Sequence, residues 1–312
     1  MENILLSTDH WSQREQEQDP HLILHCPHAA SLQDFKTTTP DLWEEIRQAS
    51  LASGVQEQDL IDYINIEADI FSAEVAEAVA RLLQKNIAGI RVRVLKICIP
   101  RALLDMNRKR EHSLGRVFDH QRYAAVSQHL LQLHDQAYRK IKQHLSRLEA
   151  SPDIEPSGTL FEVHTMGPVT PLHIPVSPEN LKERVRIWKD MGGEPRQIDI
   201  IDETEEDGRR WVFGDQDLSK ALLYEFGERA VRNLPYWGRP ELLSHEWAEL
   251  VDSHLVIDIP KHELSREQLD HPERRYPIES LTIDHHKVQE VAQRIASGLG
   301  NVLEQRLRVT SC

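Results

Sequence analysis

The stretch GTLFEVHTMGP, residues 158–168, predicts a β-strand in the protein interior, because it is an apolar run closed by glycine and proline. Side chains alternate across a strand, so Glu162 and His164 point to the same face. Two interpretations of this pair stay open. His164 is either a core histidine satisfied by a nearby acid, or a metal-binding or catalytic histidine at the end of the strand.

The segments around this strand alternate between strands and helices. HLILHCPHAA (residues 21–30) and RVRVLKICIP (residues 91–100) are apolar strands ended by proline. EADIFSAEVAEAVARLLQ (residues 67–84) and residues 121–149 carry apolar side chains at helical intervals. This alternation predicts the α/β class, with a mainly parallel or mixed central sheet, helices on both faces, and ligands at the carboxyl ends of the strands.

The second half of the chain has less regular signals. SPENLKERVRIWKDMGG, residues 177–193, predicts a helix that begins after Ser177. RQIDIID and RRWVF flank the acidic turn ETEEDG and predict a hairpin or a local insertion over residues 196–213. Three elements complete the chain: a helix over about residues 218–231, the strand SHLVIDIP at 253–260, and a C-terminal helix from about His286.

Length and composition limit the classes of protein to consider. We expect residues 1–20 to form a polar N-terminal segment and residues 21–312 to form a single domain. The formal net charge of −14 argues against a nucleic-acid partner. The sequence has no apolar run near the roughly 20 residues of a membrane span, which argues against membrane insertion. It indicates no oligomeric state.

The cysteines bear on the compartment. Cys26, Cys98 and Cys312 are dispersed and odd in number, which argues against a disulfide framework. A reducing compartment follows, and we expect a cytoplasmic location.

Polar groups that can bind a metal occur at three places, each at an end of a predicted strand or helix. His28 comes after LILHCP, Glu67 and Asp69 precede a helix, and His164 ends the strand LFEV. The carboxyl ends of parallel strands meet in one crevice, so two imidazoles and a carboxylate can form a zinc-like donor set. A structural alternative exists for Asp69, which is a good helix cap.

The turn after the strand that ends at Pro100 is rich in basic and amide groups. RALLDMNRKR places Arg101, Asn107 and Arg108 within eight residues. Two guanidinium groups beside an amide suit the bidentate recognition of a carboxylate and the polarisation of a carbonyl. The alternative is a basic solvated turn held by an ion pair between Asp105 and Arg108.

Five segments in order resemble the motifs of one family. They are PHAA at 27–30, EADIFSAEVA at 67–76, RALLDMNR at 101–108, EVHTM at 162–166 and NLPYWG at 233–238. These segments resemble the PHAG, DxGAxxLA, SRxxxDLNR, DxHSM and NxPYxG motifs of the N-formylglutamate amidohydrolase family, which is similar to the zinc carboxypeptidases and aspartoacylases. The resemblance covers residues 22 to about 262.

The resemblance implies a zinc-hydrolase fold and a metal-dependent attack of water on an amide carbonyl. It implies that a divalent metal, most simply zinc, is bound by His28, His164 and Asp69, with Glu67 as the rival carboxylate. Arg101, Asn107 and Arg108 are then expected to hold a substrate carboxylate or to polarise the scissile carbonyl. Glu162 is expected to orient an imidazole from behind the metal ligands.

The family's general base is a glutamate on a QxE strand, and the corresponding residue here is Asp258, on the strand LVIDI. It is one methylene shorter than glutamate, and Glu263 is the second candidate. Ala30 and Thr165 are milder departures, at positions where the family has glycine and serine. These departures bear on the substrate more than on the fold.

Three functions fit these residues. The first is an amidohydrolase that cleaves the carbon–nitrogen bond of an N-acyl amino acid, as an N-formylglutamate deformylase does, by metal-activated water. The second is a zinc hydrolase that acts on a peptide or a peptide side chain. The third is a non-catalytic binding protein on a degenerate hydrolase fold. In each case we expect a small-molecule or peptide ligand that carries a carboxylate.

Overall fold

The computed structural model describes residues 4–10, 19–149, 158–167, 176–190, 195–234, 236, 238–239, 241–267 and 281–309. The strands are β1 Leu5–His10, β2 Leu22–Cys26, β3 Val92–Ile97, β4 Thr159–Met166, β5 Ile198–Ile201, β6 Glu203–Glu206, β7 Arg209–Val212, β8 Ala230–Arg232 and β9 Ser253–Pro260. The helices are α1 Leu32–Thr38, α2 Pro40–Ala52, α3 Glu57–Glu67, α4 Ser72–Asn86, α5 Ala124–Glu149, α6 Leu181–Asp190, α7 Gln216–Phe226, α8 Leu243–Ala248 and α9 His285–Val309.

A mixed sheet forms the centre of the described chain. Its strand order is β1-β3-β2-β4-β9-β5-β8. Strands β3, β2, β4 and β9 are parallel neighbours, whereas β1 and β5 run antiparallel to β3 and β9. The carboxyl ends of the four parallel strands therefore lie along one edge of the sheet, where ligands bind in this class of fold. The predicted α/β class with a mixed sheet is confirmed.

Helices cover both faces of the sheet. Leu24, Phe161 and Ile257 belong to an apolar cluster that includes side chains of α4, α7 and α9. Ile23 and Leu160, on the opposite face, belong to a second cluster with side chains of α2, α3 and α5. Successive side chains of a strand point to opposite faces of the sheet, and both faces are covered by helices. The strands are therefore apolar almost throughout.

Strand β1 was not expected from the sequence. Leu5–His10 pairs with β3 in the register Leu5 to Ile97, although it lies within residues 1–20, which the sequence had set apart from the domain. Only Ile4 and Leu5 are buried at its start, residues 6–9 are exposed, and His10 is half-buried. The apolar run of an exposed edge strand is too short to stand out in a sequence. That residues 21–312 form one domain stays a prediction.

The region after α6 also differs from the prediction. Ile198–Ile201 does not pair with RRWVF in a hairpin but joins the main sheet as β5, and the hairpin consists of β6 and β7. The helix predicted to reach residue 231 ends at Phe226, where Gly227 takes a positive φ of 56°, and the chain continues into β8. Long-range strand pairing decided both outcomes, and local periodicity does not report it.

Two further expectations concern the cysteines and the membrane. Cys26 and Cys98 are free, buried thiols, and Cys312 lies outside the described residues. Among the described helices, none is long and apolar enough to cross a lipid bilayer.

Glu162 joins three strands of the sheet. Its carboxylate accepts hydrogen bonds from His25 Nδ1 on β2 at 3.0 Å and from His254 Nε2 on β9 at 3.1 Å. All three side chains are buried. Burial raises the pKa of Glu162, but the two imidazole hydrogen bonds outweigh it and hold this pKa well below the usual value. Glu162 was expected to orient the imidazole of His164 or a neighbouring group, and it binds the neighbouring His25 and His254, neither of which is a candidate ligand.

We predict that Glu162→Ala lowers the free energy of unfolding by about 3–5 kcal/mol, because it leaves two buried donors without an acceptor. Glu162→Gln keeps the shape and one acceptor oxygen, so its loss is expected to be smaller. Urea unfolding followed by circular dichroism measures both changes. The control is Glu205→Ala, whose exposed pair with Arg210 is worth about 1 kcal/mol or less. Equal stability of Glu162→Ala and the control would contradict the prediction.

Candidate active site

Three candidate metal ligands meet at the carboxyl edge of the sheet. Asp69 Oδ2 lies 3.2 Å from His28 Nδ1 and 3.0 Å from His164 Nδ1. The two imidazole rings pack edge to face with their centroids 5.1 Å apart. All three residues are buried, and their possible ligand atoms all lie within 4.8 Å of one another. Within the described part of the chain, this is the group of metal-binding side chains close enough together to hold one ion.

The loop between α3 and α4 holds Asp69 beside β2. The Asp69 N–H donates to the carbonyl of His28 at 3.1 Å, and Ser72 Oγ donates to the carbonyl of Asp69 at 2.8 Å. Phe71, just before α4, takes a positive φ of 73°, which is uncommon for a residue other than glycine. The backbone is thus bent so that the side chain of Asp69 turns toward both histidines.

Glu67, the rival carboxylate, lies elsewhere in the site. Its Oε1 is 3.9 Å from Arg184 Nη2, and it is outside the group formed by His28, Asp69 and His164. Glu67 therefore lines the pocket wall, and Asp69 is the acid beside the histidines.

Asp105 contacts both the histidine cluster and the basic turn. Its Oδ1 lies 2.8 Å from His28 Nε2 and accepts the Asn107 backbone N–H at 3.0 Å. Its Oδ2 accepts from Arg108 Nε at 3.0 Å and lies 3.4 Å from Arg101 Nε. Burial raises the pKa of Asp105, but Arg101 and His28 outweigh it and hold this pKa well below the usual value. The predicted ion pair between Asp105 and Arg108 is thus present. It does not exclude a role in the site, because Asp105 also contacts His28.

The donor set fits a catalytic zinc ion. An ionised carboxylate only accepts, so His28 donates its Nε2 proton to Asp105, and its Nδ1, which faces Asp69, is the nitrogen that would bind a metal. Two imidazole nitrogens and one carboxylate are a usual protein donor set of catalytic zinc. Burial raises the pKa of Asp69, but His28 and His164 hold it below the usual value, so Asp69 is available as an anionic ligand.

The basic turn after β3 lies beside the ligands. Arg101, Asn107 and Arg108 line the same pocket as His164 and Asp69. Ser244 Oγ donates to Asn107 Oδ1 at 2.8 Å, which directs the amide nitrogen of Asn107 away from Ser244, and no hydrogen bond from this nitrogen is found within the described parts of the chain. Burial lowers the pKa of Arg101, but the charges of Asp105 and Asp69 outweigh burial and raise this pKa above its usual value, so the guanidinium stays charged. The three side chains predicted to bind substrate are thus together in the structure, and we call them the clamp.

Asp258 is also in the pocket. It lies near the end of β9, opposite His164 on β4 and Asp199 on β5. Its Oδ1 is buried and has no hydrogen-bond partner among the described residues. Burial raises the pKa of Asp258, and the nearby Arg196 opposes this rise. An acid with a free, desolvated oxygen beside the ligands has the position that a general base needs.

Glu263, the second candidate for the base, is engaged elsewhere. It forms an ion pair with Arg229 and also lies 3.7 Å from His262. It is not among the described residues that line the pocket.

The segment NLPYWG places Tyr236 at the pocket. Asn233 takes a positive φ of 54°, and the N–H groups of Leu234 and Tyr236 donate to the carboxylate of Asp199 at 2.9 and 3.2 Å. Arg196 lies over the Tyr236 ring at 4.6 Å and donates to its hydroxyl at 3.3 Å. Burial raises the pKa of Asp199 to about 7. The sequence motif pointed to Tyr236, but Arg196 and Asp199 carried no signal, since their role depends on the position of β5.

Lys261 is a further residue that the sequence did not single out. It is almost wholly buried, it lines the pocket, and its Nζ donates to the carbonyl of Ile66 at 3.0 Å. This contact ties the end of β9 to the last turn of α3, three residues before Asp69. The available signal was a lysine directly after a buried strand, a position where a solvated charge is unusual.

Comparisons with known proteins bear on the fold. No protein-family model matches the sequence, and no curated protein matches it significantly. The fold is similar to that of a gene product from Agrobacterium tumefaciens, with a TM-score of 0.50 and 15% identity over 97% of this chain and 95% of that one.

Two other solved structures are similar to this chain. One is an N-formylglutamate amidohydrolase from Ralstonia eutropha JMP134, with a TM-score of 0.46 and 16% identity over 97% of this chain and 98% of that one. The other is a metallo-carboxypeptidase from Burkholderia cenocepacia, with a TM-score of 0.34 and 10% identity over 96% of this chain and 60% of that one. Likeness at these identities concerns the fold alone.

Proposed function

We propose that this protein is a metal-dependent amidohydrolase that cleaves the carbon–nitrogen bond of an N-acyl amino acid. The observation that carries the proposal is a pocket lined by Asp69 and His164 of a zinc-like donor set, by a pair of arginines and by an acid with a free oxygen, with His28 buried against Asp69. These are the groups that hydrolysis of an amide beside a carboxylate requires.

The metal site is proposed to consist of His28, Asp69 and His164. Asp105 holds His28 in the tautomer that leaves Nδ1 as a ligand. A zinc ion bound there supplies a Lewis acid that polarises the carbonyl and makes water a stronger nucleophile.

The clamp is proposed to bind the carboxylate of the amino acid. Arg101 and Arg108 offer planar forks that match two carboxylate oxygens, and the Asn107 amide offers a further donor. Since Asp105 contacts both guanidiniums and His28, a carboxylate held at the clamp lies close to the metal ligands. A guanidinium proton not used by the carboxylate can also stabilise the negative charge that develops on the carbonyl oxygen.

Asp258 is proposed to move the proton. It accepts a proton from the attacking water as the water oxygen bonds to the carbonyl carbon. It then gives this proton to the nitrogen as the carbon–nitrogen bond breaks. The products are the free carboxylic acid of the acyl group and the free amino acid, so Asp258 ends the cycle as a carboxylate.

We predict that the purified protein binds one equivalent of zinc and that His164→Ala and Asp69→Ala abolish this binding. Glu67→Ala is the matched control, since it removes a carboxylate two residues away that pairs with Arg184 instead. Asp105→Asn should weaken zinc binding about 10- to 100-fold, because a neutral amide oxygen is a weaker acceptor than the carboxylate for the His28 Nε2 proton. Elemental analysis and competition with a chromophoric chelator measure these changes. Stoichiometric zinc in His164→Ala, or loss in Glu67→Ala but not in Asp69→Ala, would refute the assignment.

The activity is tested with a panel of N-formyl and N-acetyl amino acids and short peptides, by detection of the released amine. We expect hydrolysis that is lost on chelation and restored by zinc. Asp258→Asn should keep zinc and thermal stability but reduce turnover about 10²- to 10⁴-fold. Glu263→Gln is the control and should stay active. Zinc binding without turnover of any amide would favour a binding protein, and a nearly active Asp258→Asn would clear Asp258 of this role.

The clamp gives a separate prediction about the substrate. Replacement of the substrate carboxylate by a carboxamide should raise KM, since the two guanidiniums lose their anionic partner. Arg101→Lys and Arg108→Lys should each reduce kcat/KM about 10- to 100-fold, because an ammonium cannot reproduce the planar fork. Arg239→Lys is the control, since Arg239 lies 3.9 Å from Glu241 at the pocket mouth. Equal turnover of the acid and its amide would show that the clamp does not read a carboxylate.

A further inference from the structure

Part of the pocket wall beside Asp258 is apolar, and we call this part the recess. Val256 lies two residues before Asp258 on the same face of β9, and Ile201 on β5 is its neighbour in the sheet register. Phe213, Gly238 and Leu242 complete this wall. The pocket as a whole has a volume of about 270 Å³, so it suits a small ligand rather than a folded partner.

The ring of Phe213 is held firmly in this wall. The backbone N–H of Phe213 donates to the carbonyl of Asp202 at 2.9 Å, and its ring packs against the rings of His245 and His254, with centroids 4.5 and 5.6 Å away. A Cβ atom at Gly238 would lie 2.6 Å from Phe213 Cε1. The glycine therefore leaves the space that the phenyl ring occupies, and the recess keeps an aromatic side.

The recess shares a boundary with the clamp. Leu242 forms a backbone bridge with Arg108, and the N–H of Leu243 donates to the carbonyl of Asn107 at 2.9 Å. Ser244, on the same segment, donates to the Asn107 side chain. The segment that supplies Leu242 to the apolar wall is thus the one that supports the groups proposed to bind the carboxylate.

We propose that the substrate's amino acid carries an apolar side chain, of the size of leucine or phenylalanine, which enters this recess. The inference rests on the proposed function. The carboxylate and the side chain of an amino acid are attached to the same carbon, so their first atoms are only about 2.5 Å apart. A carboxylate at Arg108 and Asn107 therefore places the side chain against the neighbouring wall of Leu242, Phe213 and Val256.

The same wall disfavours an acidic side chain such as that of glutamate. A carboxylate in the recess would lose its water and face Ile201 and Val256, which cannot donate a hydrogen bond. The basic side chains around the recess have other partners or no charge. Lys261 donates to the carbonyl of Ile66, and Arg239 is exposed and pairs with Glu241. Burial lowers the pKa of His245, which keeps this imidazole neutral, and Arg196 lies over the ring of Tyr236 and does not line the pocket.

The first test compares N-formyl derivatives of phenylalanine, leucine, glutamate and glycine on the zinc-loaded protein. We expect kcat/KM for the phenylalanine or leucine derivative to exceed that for glutamate by at least about tenfold, since filling an apolar pocket is worth roughly 10- to 200-fold in such comparisons. A glutamate derivative that reacts as fast as or faster than these would overturn the inference while leaving the proposed function intact. So would a rate that depends on the acyl group but not on the amino-acid side chain.

A variant that fills the recess provides the second test. Val256→Phe should slow the phenylalanine derivative at least tenfold while sparing the glycine derivative, which has no side chain to exclude. Trp211→Ala is the control, since Trp211 is an exposed aromatic residue on β7 just before Phe213 and does not line the pocket. An equal loss for both substrates in a folded Val256→Phe protein would contradict the inference. If this variant does not fold, the ratio measured on the unmodified protein still decides it.

Binding of free amino acids separates this inference from the proposed function. Calorimetry should show tighter binding of L-phenylalanine or L-leucine than of L-glutamate to the zinc-loaded protein, and Val256→Phe should weaken L-phenylalanine. This result without hydrolysis of any amide would support the recess and reject the proposed activity. Tighter binding of L-glutamate would reject the recess.

Discussion

The carboxylate of Asp105 joins the two halves of the candidate site. It receives His28 on one oxygen and Arg108 on the other, and it also contacts Arg101 and the backbone of Asn107. The proton on His28 Nε2 and the positions of the guanidiniums are therefore fixed by the same group. A ligand atom and a substrate-binding group that share one support keep a constant separation, which is what catalysis beside a bound carboxylate requires.

Charge balance explains how so many ionised groups remain in a largely buried pocket. Each buried carboxylate has cationic or N–H partners, as Asp69 has in the two histidines and Asp105 has in the arginines. Asp258 is the exception, because its Oδ1 has no hydrogen-bond partner among the described residues. A desolvated acid without a partner lowers the stability of the fold, and such groups occur mainly at functional sites. The chain as a whole carries a formal charge of −14, so attraction of an anionic ligand must come from the local arginines.

The sequence predicted the parts of the fold that depend on local pattern, and missed those that depend on pairing. The strand that precedes His28 and the strands that carry His164 and Asp258 were evident from apolar runs ended by proline or glycine. The pairing of β5 with β9 was not, because four residues of alternating pattern do not show which strand they join. The same limit applies to single contacts. Asp105 was read as a partner of its near neighbour Arg108, whereas its contact with His28 spans 77 residues.

Glu162 and His164 show why residue types alone could not separate structure from function. Both lie on one face of β4, and each joins a carboxylate–histidine cluster, Glu162 with His25 and His254, and His164 with Asp69 and His28. The cluster of Glu162, His25 and His254 is buried, and both carboxylate oxygens of Glu162 have a partner, so this cluster serves to hold three strands together. The cluster of His164, Asp69 and His28 lies where the strand meets the pocket, and two of its members, His164 and Asp69, line that pocket. Access from the pocket, rather than the presence of histidine beside acid, distinguishes the candidate metal site from its structural counterpart two residues away.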